Sequence, residues 1–438
     1  MNKLFKNKKV IVMGLGLHGG GVSATKFFYK QGADVLVTDL KTEDQLKESL
    51  DKLKQFKIKY VLGGHKESDF KNADLIIKNP DVPRTSPYLK IAKDNNVPIE
   101  TDISLFFKLT KVFTIGITGT KGKSTTASLI YHLLKSKFKR TFLVGNIGVS
   151  PLEIIFKLKK ADKVILELSN FELEDLKQSP NIAVITNILP DHLNRYNSML
   201  EYINSKKSIF KYQNKKDILI LNEEDAVVKN FSKEACSSIY FFSSKNNFKN
   251  IKLIDFKLIG ESNLSNLSSA ILVAKILKVP IKNINRSIKS FKVVSNRQEF
   301  IKEIKGVKYF NDTTATMPDA VIFAIDAFNK KFVNSKITLI AGGENKGLVF
   351  TDLGKAIKSK VENLILLPGT ASDKIEKELM GYDKIYKSDS MQKAVLLAQK
   401  LSQKGDIVIL SPGAASFNLF KNEFDRGRQF VEAVKNLK

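Results

Sequence analysis

The sequence predicts an α/β protein of three domains, each built around an open, parallel sheet. Short β-branched runs alternate with helical patterns along the 438 residues, an alternation typical of parallel α/β sheets. Glycine-rich or polar turns follow the strands, where such sheets bind ligands. The length suits about three domains of ~150 residues each. We place a Rossmann-like domain at 1–100, a central P-loop ATPase-type domain at 101–294 and a second Rossmann-like domain at 295–438.

The composition is that of a globular protein in a reducing compartment. Hydrophobic residues make up 43% of the chain, which is ordinary for a protein that buries cores. No apolar run approaches the ~20 residues that cross a membrane, and Val10–Met13 is too short for a secretory signal. The single cysteine, Cys236, excludes an internal disulfide. We therefore expect a cytoplasmic protein that has no membrane partner.

The net charge of +27 raises the possibility of nucleic-acid binding. Nearly all of this charge is lysine, and the lysines are distributed along the whole chain rather than gathered in one arm. No basic motif interleaved with aromatic residues occurs. We therefore predict no nucleic-acid partner, although such a field would attract anionic substrates.

The first glycine motif is GLGLHG at Gly14–Gly19. It follows a predicted strand at Val10–Met13 and precedes a helical pattern at Ser23–Lys30. The next strand, Val35–Thr38, ends at Asp39, about 20 residues after the glycines, as a dinucleotide fold requires. Alone, this motif indicates an NAD site with Asp39 on a ribose hydroxyl. It is weak alone, because a turn of this kind can hold any nucleotide diphosphate.

The central motif is VFTIGITGTKGKSTTA at Val112–Ala127. Its apolar run predicts a buried strand, which turns through Thr118–Gly122 into a helix at Lys123. The glycines let backbone N–H groups converge on a phosphate, and the helix N-terminus adds partial positive charge. Ile117 stands where the strict GxxxxGK[ST] pattern has its first glycine. The strand, turn and helix together still predict a nucleoside-triphosphate site rather than a structural turn.

Several side chains of the central segment suit phosphate and Mg²⁺ chemistry. Lys123 can reach the β- and γ-phosphates, and the hydroxyl of Ser124 or Thr125 can ligate Mg²⁺. Glu167 and His192 leave the ends of two other predicted strands of the same sheet. Because parallel strands present their carboxyl ends at one edge, Glu167 is a candidate Mg²⁺ ligand. A surface or helix-capping carboxylate is the alternative for Glu167.

The remaining chain continues the alternation. An amphipathic helix at Leu267–Leu277 is preceded by Asn263 and Asn266, which could cap the helix or hold an adenine edge, and the sequence alone favours the cap. The other predicted strands are Lys59–Leu62, Asp74–Lys78, Thr141–Val144, Lys163–Leu166, Ile182–Thr186, Lys216–Asn222, Ser238–Phe242, Val307–Phe310, Ile337–Ala341, Leu364–Leu367 and Ile407–Leu410. Polar loops follow the last domain's strands, at Asn311–Thr316, Gly342–Gly347 and Ser411–Ser416.

Three functions are compatible with these residues. An ATP-dependent enzyme that joins two substrates is favoured by the phosphate loop, by Glu167 and His192, and by the polar loops of the third domain. A nicotinamide-dependent oxidoreductase would depend on Gly14–Asp39 alone. A nucleotide-gated binding or signalling protein would need no second substrate.

The motifs together resemble the Mur ligases of peptidoglycan synthesis, most closely the members that add glutamate, over essentially the whole chain. The resemblance depends on Gly14–Gly19, TGTKGKST at Thr118–Thr125, GNIG at Gly145–Gly148, LELSNFELE at Leu166–Glu174, DHLNRY at Asp191–Tyr196, Asn263–Asn266, Arg297, FNDTTAT at Phe310–Thr316, AGGENKG at Ala341–Gly347 and LSPGAASFNLFKNEFDRG at Leu410–Gly427. It implies an ADP-forming ligase that uses ATP and one or two Mg²⁺ ions to add glutamate to UDP-N-acetylmuramoyl-L-alanine through an acyl phosphate. We expect a monomer.

The resemblance assigns roles residue by residue. Lys123, Glu167, His192 and Lys206 would be catalytic; Ser124, Glu167, His192 and Lys206, as a CO₂-derived carbamate, would hold the metal. ATP would contact Gly119, Thr120, Lys121, Gly122, Lys123, Ser124, Thr125, Asn263, Asn266, Arg297 and Asp312. The UDP substrate would contact Leu17, His18, Thr38, Asp39, Asn146, Ser169 and Glu172, and the Asn79–Val82 turn would lie nearby. Glutamate would contact Thr316, Lys346, Ser416 and Phe417.

Some positions depart from the usual family pattern. Lys121 stands where an Asn is common, and Glu172 stands where a Gln is common. The alternative to Lys206 as the carbamylated lysine is its neighbour Lys207. Thr314 and Glu423 differ beside the amino-acid pocket. D-glutamate is the expected acceptor, and L-glutamate is the alternative.

Overall fold

The computed structural model describes residues 3–17, 19–147, 149–191, 195–246, 248–253, 256, 258–292, 295–416 and 419–437. Its strands are β1 (Lys9–Met13), β2 (Asp34–Asp39), β3 (Lys59–Leu62), β4 (Leu75–Lys78), β5 (Ile99–Glu100), β6 (Phe113–Thr118), β7 (Thr141–Gly145), β8 (Lys163–Glu167), β9 (Ile182–Ile185), β10 (Ile218–Asn222), β11 (Ser238–Phe242), β12 (Glu299–Ile304), β13 (Val307–Asn311), β14 (Ile337–Gly342), β15 (Asn363–Leu367), β16 (Ile385–Lys387) and β17 (Ile407–Leu410).

The helices alternate with these strands. They are α1 (Gly20–Lys30), α2 (Glu43–Asp51), α3 (Glu67–Lys71), α4 (Pro87–Asp94), α5 (Asp102–Leu109), α6 (Lys123–Lys135), α7 (Asn170–Leu173), α8 (Met199–Lys211), α9 (Ala226–Asn230), α10 (Glu261–Ile276), α11 (Ile281–Ser290), α12 (Pro318–Lys331), α13 (Thr351–Lys360), α14 (Thr370–Lys377), α15 (Met391–Leu401) and α16 (Glu423–Lys435). Among the described residues, none of these helices combines the length and apolar character that a membrane crossing requires.

The chain forms two compact units. The first comprises Met1–Phe248 with Asn266–Ser287, and the second comprises Lys249–Ser265 with Ile288–Lys438. The first unit contains an N-terminal sheet of order β3-β2-β1-β4-β5 and a central sheet of order β11-β10-β9-β6-β8-β7. The second contains a C-terminal sheet of order β12-β13-β17-β14-β15-β16. The predicted α/β class with three sheets is therefore confirmed.

The two sheets of the first unit share one hydrophobic core. Phe27 and Val37 from the N-terminal part belong to the same buried cluster as Leu152 and the apolar strands of the central sheet. The ring of Phe27 also stacks on that of Phe156, with centroids 5.5 Å apart. Burial of this apolar surface joins the two sheets into one body.

The C-terminal sheet is mixed, whereas the sequence predicted a parallel sheet. β12 pairs antiparallel with β13, and the other strand pairs are parallel. Lys305 and Gly306 both have positive φ, 51° and 79°, as a two-residue hairpin turn requires. β12 escaped prediction because its sequence, EFIKEI, is charged and largely solvent-facing.

Helix α10 begins at Glu261, six residues before the predicted start at Leu267. The apolar periodicity that predicted the helix begins only after its polar first turns, and Gly260, with φ 93°, precedes it. Asn263 therefore lies inside the first turn, where its Nδ2 donates to the carbonyl of Ile259 at 2.7 Å. The prediction that Asn263 caps the helix is wrong.

Candidate active site

The loop between β6 and α6 has a phosphate-binding shape. Gly119 and Gly122 have φ values of 145° and 85°, which side-chain-bearing residues rarely adopt. A Cβ added at Gly119 would lie 2.0 Å from Thr186 Oγ1, and one added at Gly122 would lie 2.4 Å from Asn266 Oδ1. Both positions require glycine because neighbouring side chains occupy the space that a Cβ atom would need. Asn266 thus lies against the loop, as an ATP-binding residue would.

The backbone of the loop is fixed by groups that the sequence did not reveal. Asn187 accepts from the amide of Lys121 at 2.8 Å and donates to its carbonyl at 3.0 Å. Thr186 Oγ1 donates to the same carbonyl at 2.6 Å, and the hydroxyl of Tyr202 lies 2.9 Å from Thr120 Oγ1. These bonds hold the loop in its ligand-binding shape. The position of Asn187 just after β9 was the only feature that could have identified it.

Three lysine side chains lie at this loop. Lys123 Nζ donates to the carbonyls of Gly119 and Thr120, both at 2.9 Å, and Lys206 Nζ donates to that of Gly119 at 3.5 Å. Lys121 Nζ lies 3.8 Å from Asp191 Oδ2, so this unusual loop lysine faces a carboxylate of the DHLNRY motif. The cluster creates a positive potential that favours phosphate oxygens.

The environment separates Lys206 from Lys207. Lys206 is 1% exposed, and its pKa lies well below its ordinary value because of burial and then the nearby Lys123 ammonium. Lys207 Nζ instead pairs with the Glu234 carboxylate, 2.8 Å from both oxygens. Lys206 is therefore held where a neutral amine is favoured.

Glu167 ends β8 beside the loop and is 2% exposed. Its Oε1 accepts from Asn146 Nδ2 at 3.1 Å, whereas no donor among the described residues reaches the buried Oε2. A buried carboxylate oxygen without a donor is costly unless a cation or ligand occupies it. The residue is therefore neither a surface carboxylate nor a helix cap, and its environment fits a Mg²⁺ ligand.

Some predicted positions lie outside the described residues, and no metal cluster is complete within them. The undescribed positions are His18, Gly148, His192 and Phe417. Within the described ranges, no group of three or more His, Cys, Asp or Glu side chains could hold a metal ion. Ser124 is the second residue of helix α6, directly after Lys123.

Ser169 and Glu172 complete each other at the start of α7. Glu172 Oε2 accepts from the amide and the hydroxyl of Ser169, at 2.6 and 2.8 Å, in a capping box. Burial, the charge of Asp102 and that of Glu167 raise the pKa of Glu172 to about 8. Both residues have a structural role, and their contact with the UDP substrate stays a prediction.

The predicted UDP-binding residues lie at the carboxyl edge of the N-terminal sheet. Asp39 accepts from the amides of Gly16 and Lys41, at 3.2 and 2.9 Å. Thr38 Oγ1 lies 2.6 Å from Nδ1 of His65, a histidine that sequence reasoning did not select. Leu17 is exposed. The glycine turn and the ends of β1 and β2 thus form one polar edge.

In the second unit, Asp312 and Asn263 belong to one hydrogen-bonded group around Gln298. Asp312 accepts from the Gln298 amide at 3.1 Å and from Ser411 Oγ at 3.0 Å. Burial raises the pKa of Asp312 to about 7, against the opposing charge of Arg297. Asn263 Nδ2 donates to Gln298 Oε1 at 3.1 Å. The structure therefore brings Asn263, Arg297 and Asp312 together.

The predicted glutamate-binding residues lie in loops after the C-terminal strands. Arg426, fully buried, donates to Thr313 Oγ1, to the Thr313 carbonyl and to the Ala414 carbonyl, at 3.0, 2.9 and 3.1 Å. It thereby joins the loop of Thr316 to that of Ser416, and burial lowers its pKa to about 10. Lys346 is exposed on the glycine loop after β14.

Three family models match consecutive parts of the chain. They describe a Mur ligase MurD-like N-terminal domain at residues 8–101, a Mur ligase middle domain at 117–274 and a Mur ligase glutamate ligase domain at 296–413.

Two relatives illustrate the similarity along the whole chain. The protein named UDP-N-acetylmuramoylalanine--D-glutamate ligase of Borreliella burgdorferi (strain ZS7) is 40% identical over 99% of this chain and 98% of its own. The protein of the same name from Roseiflexus sp. (strain RS-1) is 37% identical over 98% of each chain.

Solved structures agree on the fold. The UDP-N-acetylmuramate-alanine ligase MurC of Thermotoga maritima has a TM-score of 0.66 at 20% identity, over 99% of this chain and 100% of that one. The MurF ligase of the same organism has a TM-score of 0.60 at 18% identity, over 99% and 95%. Motifs, family models and relatives of the same length agree: the chain belongs to the Mur ligase family.

Proposed function

We propose that this protein is an ATP-dependent, ADP-forming ligase that joins D-glutamate to UDP-N-acetylmuramoyl-L-alanine in peptidoglycan precursor synthesis. The observation that carries the proposal is the convergence of Lys123, Lys206 and Glu167 on one braced phosphate loop. Relatives named for this reaction match the chain from end to end at 37–40% identity.

The reaction has two steps. A carboxylate oxygen of the UDP substrate attacks the γ-phosphorus of ATP, which gives an acyl phosphate and ADP. The amine of glutamate then attacks the acyl carbon, a C–N bond forms, the amine loses a proton and phosphate leaves. Lys123 offsets charge on the transferring phosphoryl group from its place at the loop.

Mg²⁺ fits the carboxylate oxygen Oε2 of Glu167, to which none of the described residues donates. Ser124 and Glu167 would hold it, with His192 as the further predicted ligand. When bound, Mg²⁺ neutralises phosphate charge and orients the phosphoryl group.

Lys206 suits carbamylation better than Lys207. A neutral amine adds CO₂ and loses a proton to give a carbamate, and the buried Lys206 favours the neutral form. The Nζ of Lys207 is instead engaged by both oxygens of the Glu234 carboxylate. The carbamate would supply the second carboxylate of the metal site.

The remaining assignments follow the family pattern. Leu17, His18, Thr38, Asp39 and Asn146 would contact the UDP substrate, and Thr316, Lys346, Ser416 and Phe417 would hold glutamate. We expect a cytoplasmic monomer that works without nucleic acid or membrane.

The test is a ligation assay with ATP, Mg²⁺ and UDP-N-acetylmuramoyl-L-alanine, in which D- and L-glutamate are compared at equal concentration. We expect ADP, phosphate and the amide product in equal amounts, with D-glutamate preferred. Preference for L-glutamate would change the stereochemistry only. Phosphate release that needs no amino acid would favour a nucleotide-gated binding protein, and NADH oxidation would overturn the ligase.

A further inference from the structure

A buried lysine lies at the boundary between the two sheets of the first unit. Lys78 is the last residue of β4, after three apolar residues, and although it is a lysine it is only 2% exposed. Its Nζ lies 2.7 Å from Asp175 Oδ2 and donates to the Val82 carbonyl at 3.2 Å. A buried ammonium group is costly unless it is paired, so its two partners explain its place.

One partner belongs to a rigid turn at the edge of the N-terminal sheet. In the Asn79–Val82 turn, Asn79 Oδ1 accepts from the amide of Asp81 at 3.1 Å, and Asn79 Nδ2 donates to the Gly14 carbonyl at 3.2 Å. A Cβ on Gly14 would lie 2.9 Å from Asn79 Cβ. The turn is thus packed directly on the first glycine turn.

The other partner belongs to the central sheet. Asp175 follows α7, in the segment that leaves β8 after Glu167. A second contact runs in parallel: Arg195 donates to the Asp81 carbonyl at 3.1 Å and lies over the Phe171 ring, 4.7 Å from its centroid. Two cations therefore bind successive carbonyls of the turn and connect it to the segments beside the phosphate loop.

We propose that Lys78 is a positioning residue. Through its ion pair with Asp175, it holds the carboxyl edge of the N-terminal sheet at a fixed position relative to the carboxyl edge of the central sheet, where Glu167 lies. The proposal rests on the ligase function above. Bound across the two edges, the reacting carboxylate of the UDP substrate keeps a constant place relative to the phosphate loop. Loss of the Lys78–Asp175 ion pair misplaces this carboxylate, while the phosphate loop itself stays intact.

The test compares Lys78→Met with Arg84→Met. Both remove a cation from the same carboxylate, but Arg84 is 57% exposed and lies 3.2 Å from Asp175 Oδ1. Methionine fills the buried space of Lys78, and Asp175 keeps Arg84, so we expect the variant to fold. For Lys78→Met, kcat/KM for the UDP substrate should fall by about 10- to 100-fold with KM for ATP within about twofold of wild type, as expected when reacting groups are misplaced. Arg84→Met should leave both constants within about twofold.

Hydrogen exchange gives a measurement that is independent of turnover. The amides of Asp81 and Val82 should exchange about tenfold faster in Lys78→Met and at the wild-type rate in Arg84→Met. Asp175→Asn, which keeps the shape of the side chain, should reproduce the kinetic change of Lys78→Met. Unchanged kcat/KM in Lys78→Met, or an equal rise of both KM values, would overturn the positioning role. If the wild-type protein formed no amide product, the ligase function would fail instead, and exchange at the turn would still decide whether Lys78 holds it.

Discussion

The carboxyl edges of the central and C-terminal sheets both carry polar loops after parallel strands, but their charged groups are used differently. At the central edge, Lys123 and Lys206 converge on the loop, and Glu167 Oε2 has no donor among the described residues. At the C-terminal edge, the side chains of Asp312 and Arg426 are engaged in hydrogen bonds with neighbouring loops. The comparison suggests that one edge is built to receive the charge of a ligand and the other to hold loop backbones in place.

The largest expected effect comes from a substitution at the carboxyl edge of the central sheet. Lys206→Ala should lower ligase activity by about 10³-fold, because the proposed metal site would lose the carbamate that serves as its second carboxylate. Added formate or acetate should restore part of the activity by occupying the space of the carbamate. Lys207→Ala is the matched control and should keep activity within about threefold, since an exposed ion pair contributes little. Carboxylate rescue of Lys207→Ala alone would assign the carbamate to Lys207.

The next effect breaks the C-terminal edge. Arg426→Met should lower the free energy of unfolding of the second unit by about 2–4 kcal/mol, because buried carbonyls lose their donors. Arg428→Met, in the same helix but with 67% of its side chain exposed, should change it by less than about 0.5 kcal/mol. Hydrogen exchange in β13 and β17 measures both. Equal stability of the two variants would mean that Arg426 does not brace the loops.

A smaller effect tests the buried carboxyl of the central edge. The pKa of Glu172 is raised to about 8, so the folded protein holds a proton that the unfolded chain releases above its ordinary pKa of 4.5. Stability from this group is therefore greatest below pH 4.5 and falls as the pH rises to about 8. Glu172→Gln removes this pH dependence. At pH 9 the free energy of unfolding of the variant should exceed that of the wild-type protein by about 1–3 kcal/mol.

The matched control for this prediction is Glu201→Gln, an exposed glutamate in the first turn of α8. Its melting temperature should follow the wild-type pH profile. Parallel profiles for Glu172→Gln and wild type between pH 6 and 9 would contradict a protonated Glu172.

The smallest effect sharpens the comparison with two tyrosines. Tyr309 in the C-terminal sheet is fully buried, and no described residue hydrogen-bonds its hydroxyl, whereas Tyr202 bonds to Thr120. Tyr309→Phe should stabilise the protein by about 0.5–1.5 kcal/mol and Tyr202→Phe should destabilise it by about 1 kcal/mol. Thermal melting of both variants measures the difference, and equal shifts of the same sign would contradict it.

The sequence predicted the elements whose local pattern is strong. β3, β11 and β17 have the predicted limits, and α6 begins at Lys123 as the glycine loop required. β12 was missed because an edge strand that is half exposed lacks apolar runs. α10 was placed too late because its first turns are polar.

The site divides in the same way. Lys123 and Glu167 were selected from the glycine loop and from a strand end, whereas Lys206 was assigned only by the family resemblance. Asn187, Tyr202 and Lys78 could not be predicted, because their roles depend on contacts with residues distant in sequence. Burial, which separates Lys206 from Lys207, likewise depends on packing that no local pattern encodes.

The shared core of the first unit limits how members of this family can be recombined. Phe27 packs on Phe156 and lies in one apolar cluster with Leu152, so a chimera that joins the first hundred residues of one protein to the rest of another replaces one part of a shared core. Crossover points between 1–248 and the later chain leave that cluster intact. Exchanging specificity for the UDP substrate between relatives is thus a matter of transplanting two sheets at once.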